Sequence, residues 1–136
     1  MKILLDTNIL LYAMDKSSKY HSISVGILEN EKFKLFTSLK NISELISVNS
    51  KKGVDKKITL NFITETILEI SELIFPTKKS FNEFLKIISN YEVRGNKVYD
   101  MEIVSIMLAH ELDTIATFNH KDFIEIDEIK ILHDCL

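Results

Sequence analysis

The residues that most often interrupt secondary structure are nearly missing from this chain: Gly 3 and Pro 1 in 136 residues. Flexible linkers need such residues, so an arrangement of separate domains on linkers is disfavoured. A single domain over residues 1–136 is expected. The one cysteine, Cys135, has no partner for an internal disulfide, which fits a reducing compartment. Long apolar runs are absent as well. None approaches the ~20 residues that span a bilayer, and Asp6 breaks the first apolar stretch too early for a signal peptide. A cytoplasmic protein with no membrane partner is therefore expected. There is no excess of positive charge either: the net charge is -3 and the pI is near 5.8. That argues against an abundant, non-specific nucleic-acid coater. It leaves room for a nuclease, whose acidic metal ligands lower the pI while a local basic rim holds phosphate.

What is present is ordinary for a soluble globular chain, with 46% hydrophobic and 27% charged residues, and the length suffices for a core. Lys2–Leu5 reads as a buried strand with Asp6 at its C-terminal end. Residues 16–30 fit a helix capped by Asp15 or Ser17. Residues 33–37 alternate like a strand. Residues 39–51 place Leu39, Ile42, Leu45, Ile46 and Val48 on one helical face, and 55–69 read as a helix with Ile58, Phe62, Ile63 and Ile67 inward. A short apolar run at 73–75 ends at Pro76. Residues 79–90 follow as a helix with Phe81, Phe84, Leu85 and Ile88 inward. After a polar break at 94–97, residues 100–112 form the most apolar helix. Residues 114–118 and 124–132 read as strands. Strands alternating with helices predict an α/β domain with a mainly parallel sheet. Sites in such sheets gather at the C-terminal ends of strands, where Asp6 and Asn119 fall.

Three acids interrupt apolar surroundings: Asp6 in KILLDTNILL, Glu44 in NISELIS and Asp100 after Tyr99. Asn119 and Asp122 form a fourth polar cluster in TFNHKDF. A carboxylate is tolerated in a core when it is paired, hydrogen-bonded or metal-bound. Carboxylates held together repel and need a cation. Oxygen ligands without cysteine or paired histidines suit Mg²⁺ or Mn²⁺, the usual apparatus of phosphodiester cleavage. Each residue also has a plainer explanation. Asp6 would cap the turn after its strand, Glu44 would complete a capping box begun by Asn41, Asp100 would be a helix N-cap, and Asp122 would be a surface acid. The four histidines show no ligand spacing, and Lys51, Lys52, Lys56 and Lys57 read as a solvated helix edge.

Taken together, the motifs resemble the PIN domain family, and within it the small VapC-type toxins. ILLDTNILL matches the family's opening motif, Ser43-Glu44-Leu45 its second, and YDMEIVSIMLAHEL its third. Thr117-Phe118-Asn119-His120-Lys121-Asp122-Phe123 matches its fourth. The resemblance covers nearly the whole chain, in the family's order. It implies an α/β/α sandwich with a central, mainly parallel sheet and a metal-dependent endoribonuclease, the toxin of a type II toxin–antitoxin pair. By that likeness Asp6 and Asp100 hold Mg²⁺ or Mn²⁺ directly and Glu44 acts through water. Asn119 and Asp122 stand where the fourth polar group varies. Thr7 and Thr117 support the carboxylates, and Asn8 shapes the loop. The likeness further implies an RNA substrate, a homodimer and an antitoxin whose C-terminal segment enters the cleft.

One departure from the pattern is Phe118, where many members carry a basic residue. The only arginine, Arg94, lies with Lys97 in the polar RGNK loop before Asp100. Both are candidates for phosphate contact, because Arg presents a fixed two-pronged donor set. Two other functions compete. An aspartate-nucleophile phosphatase also begins with a strand ending in Asp, but it needs a second acid where Asn8 stands, and an amide cannot serve as general acid. A non-catalytic PIN-like binding module is the other, and the intact acids argue against it.

Overall fold

The computed structural model describes residues Met1 to Leu136. Strand β1 (Lys2–Leu5) leads into helix α1 (Thr7–Met14), then α2 (His21–Leu28), β2 (Lys34–Ser38) and α3 (Leu39–Lys51). Helix α4 (Lys56–Phe62) runs through a π-helical turn (Ile63–Ile67) into the short α5 (Leu68–Ile70) and β3 (Ser71–Ile74). Helices α6 (Lys78–Asn90) and α7 (Lys97–Ala109) form the next layer. They are followed by β4 (Thr114–Ala116), α8 (His120–Phe123), β5 (Lys130–Ile131) and a closing 3₁₀ turn (His133–Cys135).

All five strands are parallel, in the order β3-β2-β1-β4-β5. Successive strand side chains point to opposite faces, and two cores result. Leu4, Phe36 and Ile115 pack with α6 and α7 on one face. Ile3, Leu5, Leu35 and Ala116 pack with α1, α2 and α3 on the other. Burial on both faces explains the uninterrupted apolar reading of β1. The chain winds outward from β1 through β2 to β3, then returns to the other side of β1 as β4. Strand order thus reverses between β1 and β4, and the crevice beyond their carboxyl ends is where open α/β sheets bind ligands.

Several elements differ from the sequence expectation. α1 was not anticipated, because Ile9 and Leu10 read as a continuing apolar run. The expected helix 16–30 starts only at His21. Upstream, Asp15 Oδ1 accepts from the amide and hydroxyl of Ser17, and Ser18 Oγ accepts from the amide of Tyr20. Such local bonds hold the backbone in turns rather than helix. α3 has the expected bounds, but its buried face carries Asn41, Leu45 and Asn49, while Leu39 and Ile46 are exposed. Ile58, Phe81 and Leu85 likewise face outward, and Ile87 is the buried residue of α6 beside Ser80. The expected strand 124–132 shrinks to two residues. Ile124 is exposed while Ile126 and Ile129 are buried, so the apolar alternation there belongs to a turn. α7 begins at Lys97, one turn earlier than expected, so Asp100 lies within the first turn and is not the N-cap.

Candidate active site

Asp6 is the hinge between β1 and α1. It is the N-cap of α1 and only 7% exposed. The plain explanation and the functional one therefore both apply to one carboxylate. Oδ1 accepts from the Thr7 amide at 2.8 Å and, at 3.5 Å, from Asn41 Nδ2. Oδ2 accepts from Thr117 Oγ1 at 2.7 Å and from Asn8 Nδ2 at 3.3 Å. β1 and β4 are also joined here by the backbone, Asp6 N donating to Ala116 O.

The groups that hold Asp6 are held in turn. Thr117 Oγ1 also accepts from Asn8 Nδ2 and from the Asn119 amide, which uses all the bonds of a hydroxyl. Asn8 Oδ1 accepts from the Phe118 amide. Asn41 Nδ2 donates to Thr7 Oγ1 at 3.1 Å, and its Oδ1 accepts from Ser38 Oγ at 2.5 Å. Ser38 and Asn41 are the N-cap and third helical residue of a capping box that opens α3. Glu44 is therefore not part of that box and points from α3 as an exposed carboxylate. Asn41 and Ser38 were not expected at the site. The available signal was the spacing Ser38-x-x-Asn41 directly after a strand. Their reach to Asp6 depends on the β1–β2 pairing and has no local signature.

The other acids come from the opposite wall. Asp100, on the first turn of α7, is half-buried. Burial pushes its carboxyl up to about 6. The negative charges of Asp122, Asp6 and Glu44 push the same way, against Lys97. Asp6 is likewise pushed up to about 6, chiefly by burial and further by Glu44 and Asp122, against the bonds from Thr117 and Thr7. These mutual influences place Asp6, Glu44, Asp100 and Asp122 in one electrostatic neighbourhood. No three His, Cys, Asp or Glu side chains are arranged to ligate one ion directly. The donor set nonetheless suits a hard divalent cation. It is made of carboxylate oxygens, two of them carrying raised proton affinity that a cation would relieve.

Asn119 Nδ2 donates to Asp122 Oδ2, which fixes the two at the start of α8. Lys97 Nζ donates to the Asp122 carbonyl at 2.6 Å, so this ammonium ties α7 to α8 at the rim. Arg94 is exposed and makes no ion pair. A pair missed from sequence is Lys40–Glu102, at 2.5 Å, with Lys40 also over the Tyr99 ring. It ties α3 to α7, one turn from Glu44 on α3 and two residues after Asp100 on α7. None of the larger cavities is lined by the four acids. One of about 280 Å³ lies over α6 and α7. An enclosed pocket suits a small ligand, whereas a polymer backbone can lie across an open surface.

The sequence matches the family model of the PIN domain over residues 3–129. No curated protein shows a significant sequence match. Among solved structures, VapBC2 from Rickettsia felis bound to a promoter DNA fragment is similar at TM-score 0.70 and 23% identity, covering 97% of this chain and 98% of that one. VapBC-1 from nontypeable Haemophilus influenzae is similar at TM-score 0.72 and 20% identity, over 100% of both chains. VapC20 of Mycobacterium tuberculosis, described as a sarcin-ricin loop cleaving toxin, is similar at TM-score 0.69 and 12% identity, covering 88% of this chain and 92% of that one. At these identities the likeness establishes the fold.

Proposed function

This chain belongs to the PIN domain family, and on that premise we propose that it is a metal-dependent endoribonuclease, the toxin of a type II toxin–antitoxin pair. The observation that carries the proposal is the gathering of four acids at the crevice where strand order reverses, with two of them raised to about 6. The structural neighbours named as toxin–antitoxin complexes support a protein partner.

Asp6 and Asp100 would hold Mg²⁺ or Mn²⁺ between β1 and α7. Such an ion, when bound, lowers the pKa of water and stabilises charge building on phosphorus. The chain's own contribution is positional. Thr117, Asn8 and the Thr7 amide keep the Asp6 carboxylate in one orientation and favour its ionised form. Glu44, exposed on α3, would act through water, binding the ion by way of a water or orienting one bound to it. Asn119 and Asp122, braced by Lys97, close the remaining side. Arg94 supplies an unpaired cation for the RNA backbone. A homodimer and an antitoxin segment that covers the acids complete the proposal.

The test is purified protein with total cellular RNA, in Mg²⁺, in Mn²⁺ and in EDTA. Cleavage with either metal and none in EDTA is expected, as is slowed growth on expression. Cleavage that persists both in EDTA and in Asp6→Ala would sink the mechanism. No cleavage with any metal would favour the binding-module reading.

A further inference from the structure

Phe118 stands between two residues of the acidic site. Thr117 before it bonds Asp6, Asn119 after it bonds Asp122, and its own amide is held by Asn8. Its backbone is therefore held beside the acids. Tyr20 stacks on it, with centroids 4.3 Å apart and planes at 23°. Tyr12 tilts against both, at 5.1 Å from Tyr20 and 5.7 Å from Phe118. All three rings are half-buried. The hydroxyls of Tyr12 and Tyr20 have no partner in the protein and are open to solvent, whereas the Tyr91 hydroxyl is bonded to Glu128 and to the Asp127 amide. Lys19 places its ammonium 5.0 Å from the Tyr20 ring centre. Stacked rings beside a positive charge are the composition that receives unpaired bases, because every base offers a π-face.

We propose that Tyr12, Tyr20 and Phe118 form a stacking subsite for an unpaired nucleobase of the RNA, on the segment that also carries Thr117 and Asn119. The inference rests on the ribonuclease reading and deepens it by naming the side chains of this chain that would receive a base.

The test is fluorescence anisotropy with a labelled unpaired hexaribonucleotide and with a tetrahydrofuran abasic strand of the same length. It is run in EDTA and in Ca²⁺, with strand integrity checked on a gel. The base-bearing strand should bind about tenfold tighter, and Tyr20→Leu should erase that preference while sparing the abasic strand; Tyr20→Phe should retain it. Melting curves establish that the variants fold. Ring-proton shifts of wild type on adding each strand give a readout that needs no variant. Equal binding of the two strands, or equal loss of both in Tyr20→Leu, overturns this inference alone and assigns the rings to packing or to a protein contact. No binding of either strand in either buffer overturns this inference together with the ribonuclease reading.

Discussion

Asp6 and Asp100 are both pushed up to about 6, yet they are held in opposite ways. Asp6 is buried under four donors from Thr7, Asn8, Asn41 and Thr117, each fixed by a further bond. Asp100 is half-buried and receives no side-chain hydrogen bond, and Glu44 beside it is exposed. One wall of the crevice is thus built rigidly from strand ends. The other is carried on the surfaces of α3 and α7, braced by Lys40–Glu102 and by Lys97. A preorganised wall costs no reorganisation when charge develops, while a looser wall can adapt to a polymer that must enter and leave.

The largest expected effect tests whether both walls serve one reaction. Asp6→Ala and Asp100→Ala should each lower cleavage by roughly 10³-fold or more, since each removes a direct charge from the ion, worth several kcal/mol. A variant of either residue that keeps wild-type rates would take its wall out of the site. Growth arrest on expression should disappear with the same substitutions.

The second prediction separates rigid support from adaptable chemistry. Thr117→Val keeps the shape and removes the hydroxyl that bridges Asp6, Asn8 and Asn119. Loss of such a supporting bond is expected to cost about 10- to 100-fold in activity or metal affinity. It should also cost about 1–3 kcal/mol of stability, because buried partners are left unpaired. Glu44→Gln should lower the rate strongly with metal affinity and melting temperature nearly unchanged, because Glu44 is exposed. If Glu44→Gln destabilises the fold as Thr117→Val does, the contrast between the walls is wrong.

Both walls should respond to pH, through Asp6 and Asp100. A carboxyl whose folded-state pKa is raised binds its proton more tightly when folded. Its stabilising contribution is therefore full below about pH 4 and is lost as pH rises through about 6. For buried Asp6 the shift corresponds to about 3 kcal/mol as an order of magnitude. In chelator, the melting temperature should thus fall between pH 4 and 7. Mg²⁺ should restore it at pH 7 by binding the folded state, and Asp6→Asn should flatten the slope. Equal Mg²⁺ shifts in wild type and Asp6→Asn would place the ion elsewhere.

The same contrast explains what could be read from the sequence. The parallel α/β fold was legible because β1 is apolar on both faces and helices recur between strands. α3 was legible to the residue because its apolar residues recur at helical spacing, although its capping box starts at Ser38 and not at the expected Asn41. The acids were legible because a carboxylate in an apolar run is conspicuous. The support of Asp6 by Asn41 and the Lys40–Glu102 brace were not, since both join elements distant in sequence. The outward turn of Phe81 and Leu85 was not legible either. The apolar stripe of α6 is wider than the face it buries: Phe84 and Ile88 pack against the core as expected, and packing against α7 adds Ile87 to them in place of Phe81 and Leu85.

The smallest expected effect concerns the cation at the edge of the looser wall. Gly95 adopts φ +53, a conformation that favours glycine. It closes the turn in which the Lys97 amide bonds back to the Arg94 carbonyl. The turn holds Arg94 on the surface three residues before Lys97, which itself is committed to the Asp122 carbonyl. Arg94 is thus the free cation of this loop, and a phosphate contact positions the strand without reacting. Arg94→Ala should raise KM or Kd for RNA by a few-fold, leave kcat within about twofold, and reduce the salt dependence of binding by about one phosphate contact. Lys97→Ala should behave differently: losing the tie between α7 and α8 should lower kcat and melting temperature together. If Arg94→Ala lowers kcat while sparing KM, Arg94 acts at the reacting phosphate and the adaptable wall reaches further into the chemistry than its exposure suggests.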